Sequence, residues 1–166
     1  MKIEIAYGRD LDDIMLEQLL FMAADAQACY GRLDEEFASD GILIAIIPTE
    51  TLSHFKRRVA STLFLMKTKK TKSGKKMLVG MACISKRGKS NCRFLHTVYV
   101  KPLHRKQGIG KALMKTATSL AKKSKFNLSL GVNPLNKVAM HLYESFGFKP
   151  CKKQSITMEF DGIAKK

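Results

Sequence analysis

The sequence predicts an α/β domain built on a mixed β-sheet, with the element order β-α-α-β-β-β-α-β-α-β-β. Short apolar runs of strand length alternate with longer segments in which apolar residues recur at helical spacing. A Lys-rich, Gly-containing link at 69–76 separates two strand candidates and indicates a hairpin. The chain has 166 residues, so we expect residues 1–166 to form a single domain with its own hydrophobic core.

Two apolar patterns predict the first strand and the first helix. Residues 2–7 alternate between polar and apolar side chains, which is typical of a half-buried strand. Arg9 and Asp10 then open a helix whose first turns are acidic, as the helix dipole favours. The residues expected on its core-facing stripe are Leu11, Ile14, Met15, Leu19, Met22 and Ala23.

The segment after this helix is less regular. Residues 34–37 favour a short helix, and residues 42–47 favour a strand or a buried loop. A second helix is expected to begin at 48–50 and to end near Val59. The segments predicted next are strands at 62–68, 77–85 and 93–100, a helix at 109–123 and a strand at 127–132.

The last helix is predicted from its two ends. Asn133 and Pro134 supply a helix cap and a proline at the first helical position. The helix is expected to run to Phe146 and to end at Gly147, because glycine readily adopts the left-handed conformation that closes a helix. Two short strands, at about 148–151 and 154–160, complete the chain.

Charge is distributed unevenly along the chain. Residues 1–50 carry 11 acidic residues and 3 basic ones, whereas residues 51–166 carry 27 basic residues and 3 acidic ones. No Asp or Glu occurs between Glu50 and Glu144. Such a basic region suits a phosphate-bearing ligand, and the acidic segment suits a cation. The lysines outside any binding site are equally well explained as an ordinary solvated surface.

Other classes of protein are disfavoured by composition. No apolar run is long enough to span a bilayer, and the N-terminus has no apolar signal region, so we expect a cytoplasmic protein with no membrane partner. The four cysteines lack the spacing of metal ligands, so we expect reduced thiols and no metal site. The net charge of +16 suggests nucleic acid, but no aromatic residues are interleaved with the lysines, which makes that partner unlikely on sequence grounds.

The most informative motif is the segment Arg105-Lys-Gln-Gly-Ile-Gly110, which follows a strand and opens a helix. The first backbone N–H groups of a helix lack partners and carry partial positive charge, so this glycine turn is suited to an anion. Gly108 and Gly110 leave the amides unobstructed. The motif is neither a P-loop, because Ala112 follows Gly110-Lys111, nor a dinucleotide fingerprint, because residue 113 is Leu.

Flanking motifs give the turn a recognisable context. Val98-Tyr99-Val100-Lys101-Pro102 precedes it, and Asn136-x-x-Ala139-x-x-Leu142-Tyr143-x-x-x-Gly147-Phe148 follows after one strand. With these motifs the chain resembles the GNAT superfamily of acyl-CoA-dependent N-acyltransferases, closely over residues 93–150.

The resemblance implies an acetyl-CoA site. The amides of Gln107 through Ala112 would bind the pyrophosphate, and the backbone of Val98 and Val100 would pair with the pantetheine arm. The residues implied in cofactor binding are Val98, Tyr99, Val100, Arg105, Lys106, Gln107, Gly108, Ile109, Gly110, Lys111, Ala112, Asn136, Ala139 and Tyr143. The family commonly keeps a tyrosine at the position of Tyr143 to protonate the departing thiolate.

The general base is not evident. Many family members carry a Glu on the strand before the turn, but this chain has no carboxylate from 51 to 143. His96 is the nearest substitute, although a lone His in a strand is more often structural. The alternatives are Glu35 or Glu36, a chain of water molecules, or an amine that arrives neutral.

The resemblance implies transfer of an acetyl group to a primary amine: a protein N-terminus, a lysine or a small molecule. The acidic residues near the expected acceptor site, Asp34, Glu35 and Glu36, are candidates for binding the amine or simply a solvated helix start. The chain is expected to be a monomer or a homodimer. The alternative function is a non-catalytic acyl-CoA-binding regulatory module.

Overall fold

The fold was analysed in a computed structural model, which describes residues 1–30, 51–86, 91–132, 136–150 and 157–160. The segments predicted at 34–37 and 42–47 lie outside these residues. So do the candidate acceptor residues Asp34, Glu35 and Glu36.

The observed elements follow the predicted order. The strands are β1 (Glu4–Tyr7), β2 (Leu63–Lys70), β3 (Lys76–Lys86), β4 (Cys92–Val100), β5 (Asn127–Gly131), β6 (Lys149–Pro150) and β7 (Thr157–Phe160). The helices are α1 (Asp13–Tyr30), α2 (Leu52–Val59), α3 (Ile109–Lys123) and α4 (Lys137–Ser145). Short 3-10 turns at Gly8–Asp10 and Pro102–His104 follow β1 and β4. The α/β fold with a mixed sheet is confirmed.

The strands form one sheet in the order β1-β2-β3-β4-β5-β7-β6. The pair β4–β5 is parallel and all the other pairs are antiparallel. The Lys-rich link predicted as a hairpin joins β2 to β3, and its turn is closed by a bond from Thr71 N to Lys75 O. The order is that of a meander of four strands, followed by a crossover through α3.

Helices cover both faces of the sheet. Along β2, Leu63 and Leu65 belong to the same core cluster as α3, whereas Phe64 and Met66 belong to the cluster of α1 and α2. Because successive side chains of a strand point to opposite faces, α3 lies on one face and α1 and α2 lie on the other. Partly buried residues of α4 pack against the α3 cluster.

The expected core stripe of α1 is partly wrong. Ile14 is 70% exposed, and Leu16, which was not on the expected stripe, is buried. The helix begins only at Asp13, after the 3-10 turn, so Leu11 of the expected stripe precedes it. The other expected residues, Met15, Leu19, Met22 and Ala23, are buried. Within residues 13–26 of α1, the buried apolar residues are Met15, Leu16, Leu19, Met22, Ala23 and Ala26.

Two predicted helix starts are also corrected. The second helix begins at Leu52 rather than at 48–50, because the Thr51 hydroxyl caps it by accepting from His54 N at 3.4 Å. Likewise the last helix begins at Lys137, capped by Asn136, and residues 133–135 lie outside the described structure. The predicted end at Gly147 is confirmed: its φ is 85°, in the left-handed region.

None of the helices in the described part of the chain has the length and apolar character needed to cross a membrane.

Candidate functional site

The strands β4 and β5 diverge beside the glycine turn. Their pairing comprises Cys92 with Asn127, Arg93 with Leu128 and Phe94 with Ser129. In the described residues the ladder between these two strands stops there, although β4 continues to Val100. The far half of β4 therefore has a sheet edge that faces a gap. An extended ligand that carries amides can pair with such an edge.

A bulge in β4 accompanies the divergence. His96 pairs with Cys83 and Tyr99 pairs with Met81, so Thr97 and Val98 together oppose Ala82. Thr97 adopts a φ of 46°, which is uncommon for a residue with a branched side chain. A bulge bends its strand and increases the local twist, which accounts for the separation from β5.

The glycine turn lies at the end of β4 and adopts the geometry of an anion site. Gly108 has a φ of 76° and directly precedes α3. The first bond of the helix runs from Ala112 N to Gly108 O at 3.0 Å. The amides of Ile109, Gly110 and Lys111 therefore precede the helical ladder and are available to a ligand.

The space around the two glycines differs. A Cβ at Gly108 would meet no atom within 4 Å, so the turn faces open space at this point. A Cβ at Gly110 would contact the Leu142 side chain of α4 at 3.7 Å, an ordinary van der Waals distance. The turn and α4 are thus close neighbours, and there is room for a phosphate group beside Gly108.

The cationic residues of the turn have different roles. Arg105 Nε donates to the carbonyl of Val100 at 3.0 Å, so this side chain links the turn to the last residue of β4. Lys106 and Lys111 are exposed. Lys106 also has a positive φ, 58°, two residues before Gly108. Because both side chains are exposed, these two lysines can contribute charge to a bound phosphate.

The implied cofactor residues on β4 lie on two faces. Val98 and Val100 pack against the cluster that contains α3, whereas Tyr99 is buried in the cluster of α1 and α2. Only the backbone of Tyr99 can therefore contribute to a ligand on the α3 side.

The helix α4 presents Tyr143 on the same side of the sheet as Val98 and Val100. Ala139 and Tyr143 are half-buried and pack against the α3 cluster. The Tyr143 ring lies 6.1 Å, centroid to centroid, from Phe148. Since Leu142 adjoins Gly110, the structure brings the α4 face, the end of β4 and the glycine turn together.

Asn136 has a structural role that the sequence motif did not reveal. Its Oδ1 accepts a hydrogen bond from Ala139 N at 3.1 Å and so caps α4. The carbonyl oxygen of this side chain is thereby committed to the helix. The amide nitrogen and the second lone pair of the oxygen remain for the cofactor contact that the resemblance implies.

His96 lies on the other face of the sheet. It is 7% exposed, and its Nε2 is 2.5 Å from the hydroxyl oxygen of Ser85 on β3. Its ring packs against Phe94 at 4.6 Å between centroids, and Cys83 lies opposite it on β3. Complete burial raises the pKa of the Cys83 thiol far above its ordinary value, so this thiol is protonated.

Sequence analysis did not identify the Ser85–His96 pair. The two residues are eleven positions apart and meet only because β3 pairs with β4. No spacing rule signals such a contact. In the part of the chain that is described, no cluster of three or more His, Cys, Asp or Glu residues could hold a metal ion.

Solved structures of the same fold support the interpretation of the elements. The chain is 24% identical to the PaiA N-acetyltransferase of Thermoplasma acidophilum, crystallised in complex with coenzyme A, with a TM-score of 0.66 over 97% of this chain and 99% of that one. It is 16% identical to a GNAT-family acetyltransferase of Staphylococcus aureus Mu50, with a TM-score of 0.66 over 96% of this chain and 99% of that one.

A third structure, a GNAT-family acetyltransferase of Streptococcus pneumoniae, is 18% identical, with a TM-score of 0.64 over 98% of this chain and all of that one (100%). At these identities the likeness shows the fold. No curated protein sequence matches the chain significantly. The model of the acetyltransferase (GNAT) family matches residues 22–148, which include the diverging strands and the glycine turn. The chain therefore belongs to the GNAT family of acetyltransferases.

Proposed function

We propose that this protein transfers the acetyl group of acetyl-CoA to the primary amine of a protein N-terminus, a lysine side chain or a small molecule. The observation that carries the proposal is the gap between β4 and β5, which opens directly onto the glycine turn. The gap offers a strand edge to the amide-bearing arm of the donor. The turn offers helix N-terminal amides to its pyrophosphate.

The residues present fit this donor. The amides of Ile109, Gly110 and Lys111 precede the helical ladder beside Gly108, where a Cβ would find open space, and Lys106 and Lys111 are exposed in the same turn. The amide of Ala112, which the resemblance also implied, instead donates to Gly108 O within the helix. A same-fold relative, the Thermoplasma acidophilum N-acetyltransferase, was crystallised with coenzyme A. Acetyl-CoA supplies the thioester that the amine attacks.

Transfer forms a C–N bond and breaks the C–S bond, and the thiolate that leaves must gain a proton. Tyr143 is the proposed general acid, because it packs on the same side of the sheet as Val98 and directly follows Leu142, whose side chain adjoins Gly110. A phenol has an ordinary pKa of about 10 and a thiol one of about 8.5, close enough for proton transfer between them.

The attacking amine must in turn lose a proton. His96 is the proposed acceptor for an amine that approaches the gap from the face of the sheet opposite to Tyr143. Because His96 is buried, we infer that the proton reaches it through the hydroxyl of Ser85, 2.5 Å from Nε2. The hydroxyl would donate its own proton to the imidazole as it accepts one from the amine. Glu35, Glu36, a water chain or an already neutral amine remain the alternatives.

The role of Tyr143 as general acid is tested with Tyr143→Phe, which keeps the ring packed against Phe148 and removes only the hydroxyl. The expected result is a fall in kcat of about 100-fold, with the Kd for CoA nearly unchanged. Tyr7→Phe, on β1, is the matched control. Release of free CoA is measured with a panel of amines and peptides.

The same assay separates the enzyme from a regulatory module. Turnover with any amine that falls in Tyr143→Phe and not in Tyr7→Phe supports the proposal. Tight CoA binding by the wild type without turnover on any acceptor would contradict catalysis and favour a non-catalytic acyl-CoA-binding module. The absence of a carboxylate from 51 to 143 is what keeps that alternative open.

A further inference from the structure

A side-chain cluster connects the β2–β3 hairpin to the glycine turn. Lys69 Nζ, at the end of β2, donates to Gln107 Oε1 at 3.0 Å and is 3.4 Å from His104 Nδ1. The other end of the same amide, Gln107 Nε2, donates to the carbonyl of Leu103 at 3.3 Å. One lysine therefore contacts both the 3-10 turn after β4 and the loop that precedes α3.

The sheet brings Lys69 to this position through an irregularity in β3. Lys67 pairs with Gly80 and Thr68 pairs with Leu78, so Val79 is an extra residue between them. The carbonyl of Val79 accepts a bond from Lys101 N at 3.0 Å, which fixes the exit of β4. Lys69 then pairs with Met77, which packs against the α3 cluster. The lysine thus lies on the face that carries the glycine turn.

The turn needs such support because its backbone is strained. Lys106 has a φ of 58°, and Gly108, which adopts positive φ without penalty, follows two residues later with a φ of 76°. A left-handed conformation is unfavourable for a residue with a Cβ, and it persists where surrounding contacts hold it. Gln107, the residue between them, is held at both ends of its side chain.

We propose that Lys69 is a positioning residue for the coenzyme A site: its ammonium group holds Gln107 and His104 so that the amides of the glycine turn are already aligned for the pyrophosphate. This inference rests on the use of acetyl-CoA proposed above. A hydrogen bond from a charged donor is stronger than a neutral one, and a turn aligned in advance loses less entropy on binding. Lys69 acts through the turn and is not assigned a contact with the reacting atoms.

The test compares two neighbouring lysines. Lys69→Met removes the ammonium group that contacts Gln107 and His104. Lys70→Met removes the same charge from an exposed residue that pairs with Lys76. Isothermal titration with CoA alone is expected to show Kd raised about tenfold in Lys69→Met, the size of a lost charged hydrogen bond, and less than about twofold in Lys70→Met. Lys69→Arg, which keeps charge and donors, is expected to restore most of the affinity.

A double variant distinguishes positioning from charge. Gln107→Leu should weaken CoA binding as Lys69→Met does, and the two changes together should cost little more than either alone. Thermal unfolding of each variant shows that it is folded before titration. Equal losses in Lys69→Met and Lys70→Met would overturn the proposal, since they would show that only long-range charge matters.

The binding readout separates this inference from the proposed function. If the wild type binds CoA and Lys69→Met weakens it selectively, positioning by Lys69 is supported even when no amine is acetylated. If the wild type fails to bind CoA, both proposals are contradicted. With an active acceptor, Lys69→Met should raise KM for acetyl-CoA and leave kcat within about twofold, because uniform binding of donor and transition state is lost.

Discussion

A single glycine decides whether the N-terminus of α3 can receive an anion. Gly108 has a φ of 76°, and a Cβ there would meet no protein atom within 4 Å. A side chain at this position would therefore cost backbone strain without any steric clash inside the protein. It would, however, project into the space that we assign to the pyrophosphate.

We predict that Gly108→Ala lowers stability by about 1 kcal/mol through strain alone. Because the new methyl group blocks the turn, it should also raise the Kd for CoA by about tenfold or more, as expected for lost hydrogen bonds to a charged group. Gly74→Ala is the matched control, since Gly74 has a φ of 78°, open surroundings and a position in the hairpin. Urea unfolding and titration measure both effects. Equal Kd values in the two variants would contradict the site.

Cys83 gives the protein a pH dependence at alkaline pH. Burial raises the pKa of this thiol in the folded state, whereas it ionises at about 8.5 in the unfolded chain. Its contribution to stability is therefore complete below about pH 8.5 and declines as pH rises further, because only the unfolded state loses the proton. Cys83→Ala should reduce this decline and cost about 1–2 kcal/mol at pH 7 for the cavity. The free energy of unfolding is measured at pH 7, 9 and 10 for both proteins. If it falls with pH as steeply in Cys83→Ala as in the wild type, the role assigned to the thiol is contradicted.

Sequence spacing could place His96 in a strand but could not orient it. Alternation predicts only that His96 lies opposite to Leu95, which the structure shows, and does not indicate which face of the sheet each residue occupies. Ser85, the hydrogen-bond partner of His96, comes close only because β3 pairs with β4, which is a long-range contact. No glycine marks the bulge in the sequence.

At the level of the element, α4 shows how a capping residue changes the meaning of a motif. The pair Asn133-Pro134 predicted an earlier start, but Asn136 caps the helix and Lys137 begins it. Either asparagine suits a cap by composition, and the local hydrogen bond to Ala139 N decides between them. The helix end was predictable because a single residue, Gly147, has the conformation that the terminus requires.

The two roles of Asn136 can be separated experimentally. Asn136→Ala should cost about 1 kcal/mol of stability by removing the cap. Asn136→Asp keeps the capping oxygen and should retain that stability. It loses the N–H groups of the amide, however, and places a negative charge near the proposed acetyl-CoA site. A Kd for CoA that rises in Asn136→Asp, without loss of stability, supports the cofactor contact. An unchanged Kd would leave Asn136 with a capping role alone.

At the level of the whole molecule, element order was predictable because local periodicity marks each helix and strand. Strand order was not, because it depends on which distant segments pair. The divergence of β4 from β5 is the feature most important for the site, yet no residue type between Phe94 and Val100 predicts it from the sequence. The charge distribution was visible in the sequence. The basic half of the chain forms α2 and every later element, and among these β2, β3, β4 and α3 are the elements that carry or adjoin the glycine turn.

This charge distribution predicts a strong effect of salt on association. The net charge of +16 should attract a polyphosphate ligand, so the association rate constant for CoA should fall about tenfold between about 50 and 500 mM salt. The dissociation rate constant should change much less. A triple variant of exposed hairpin lysines, Lys70→Gln, Lys72→Gln and Lys75→Gln, should reduce the salt dependence. Stopped-flow measurements test this, and identical salt profiles in the triple variant and the wild type would contradict steering by the hairpin.

The short ladder between β4 and β5 is a narrow seam between two units of the sheet. Three residue pairs connect the meander of the first four strands to the β5-β7-β6 sheet. A ligand whose amides occupy the gap would act as a temporary strand and join the two units mechanically. Local opening at β5 would then become rarer in proportion to ligand occupancy, so that the protein is most rigid at the moment when it holds its donor.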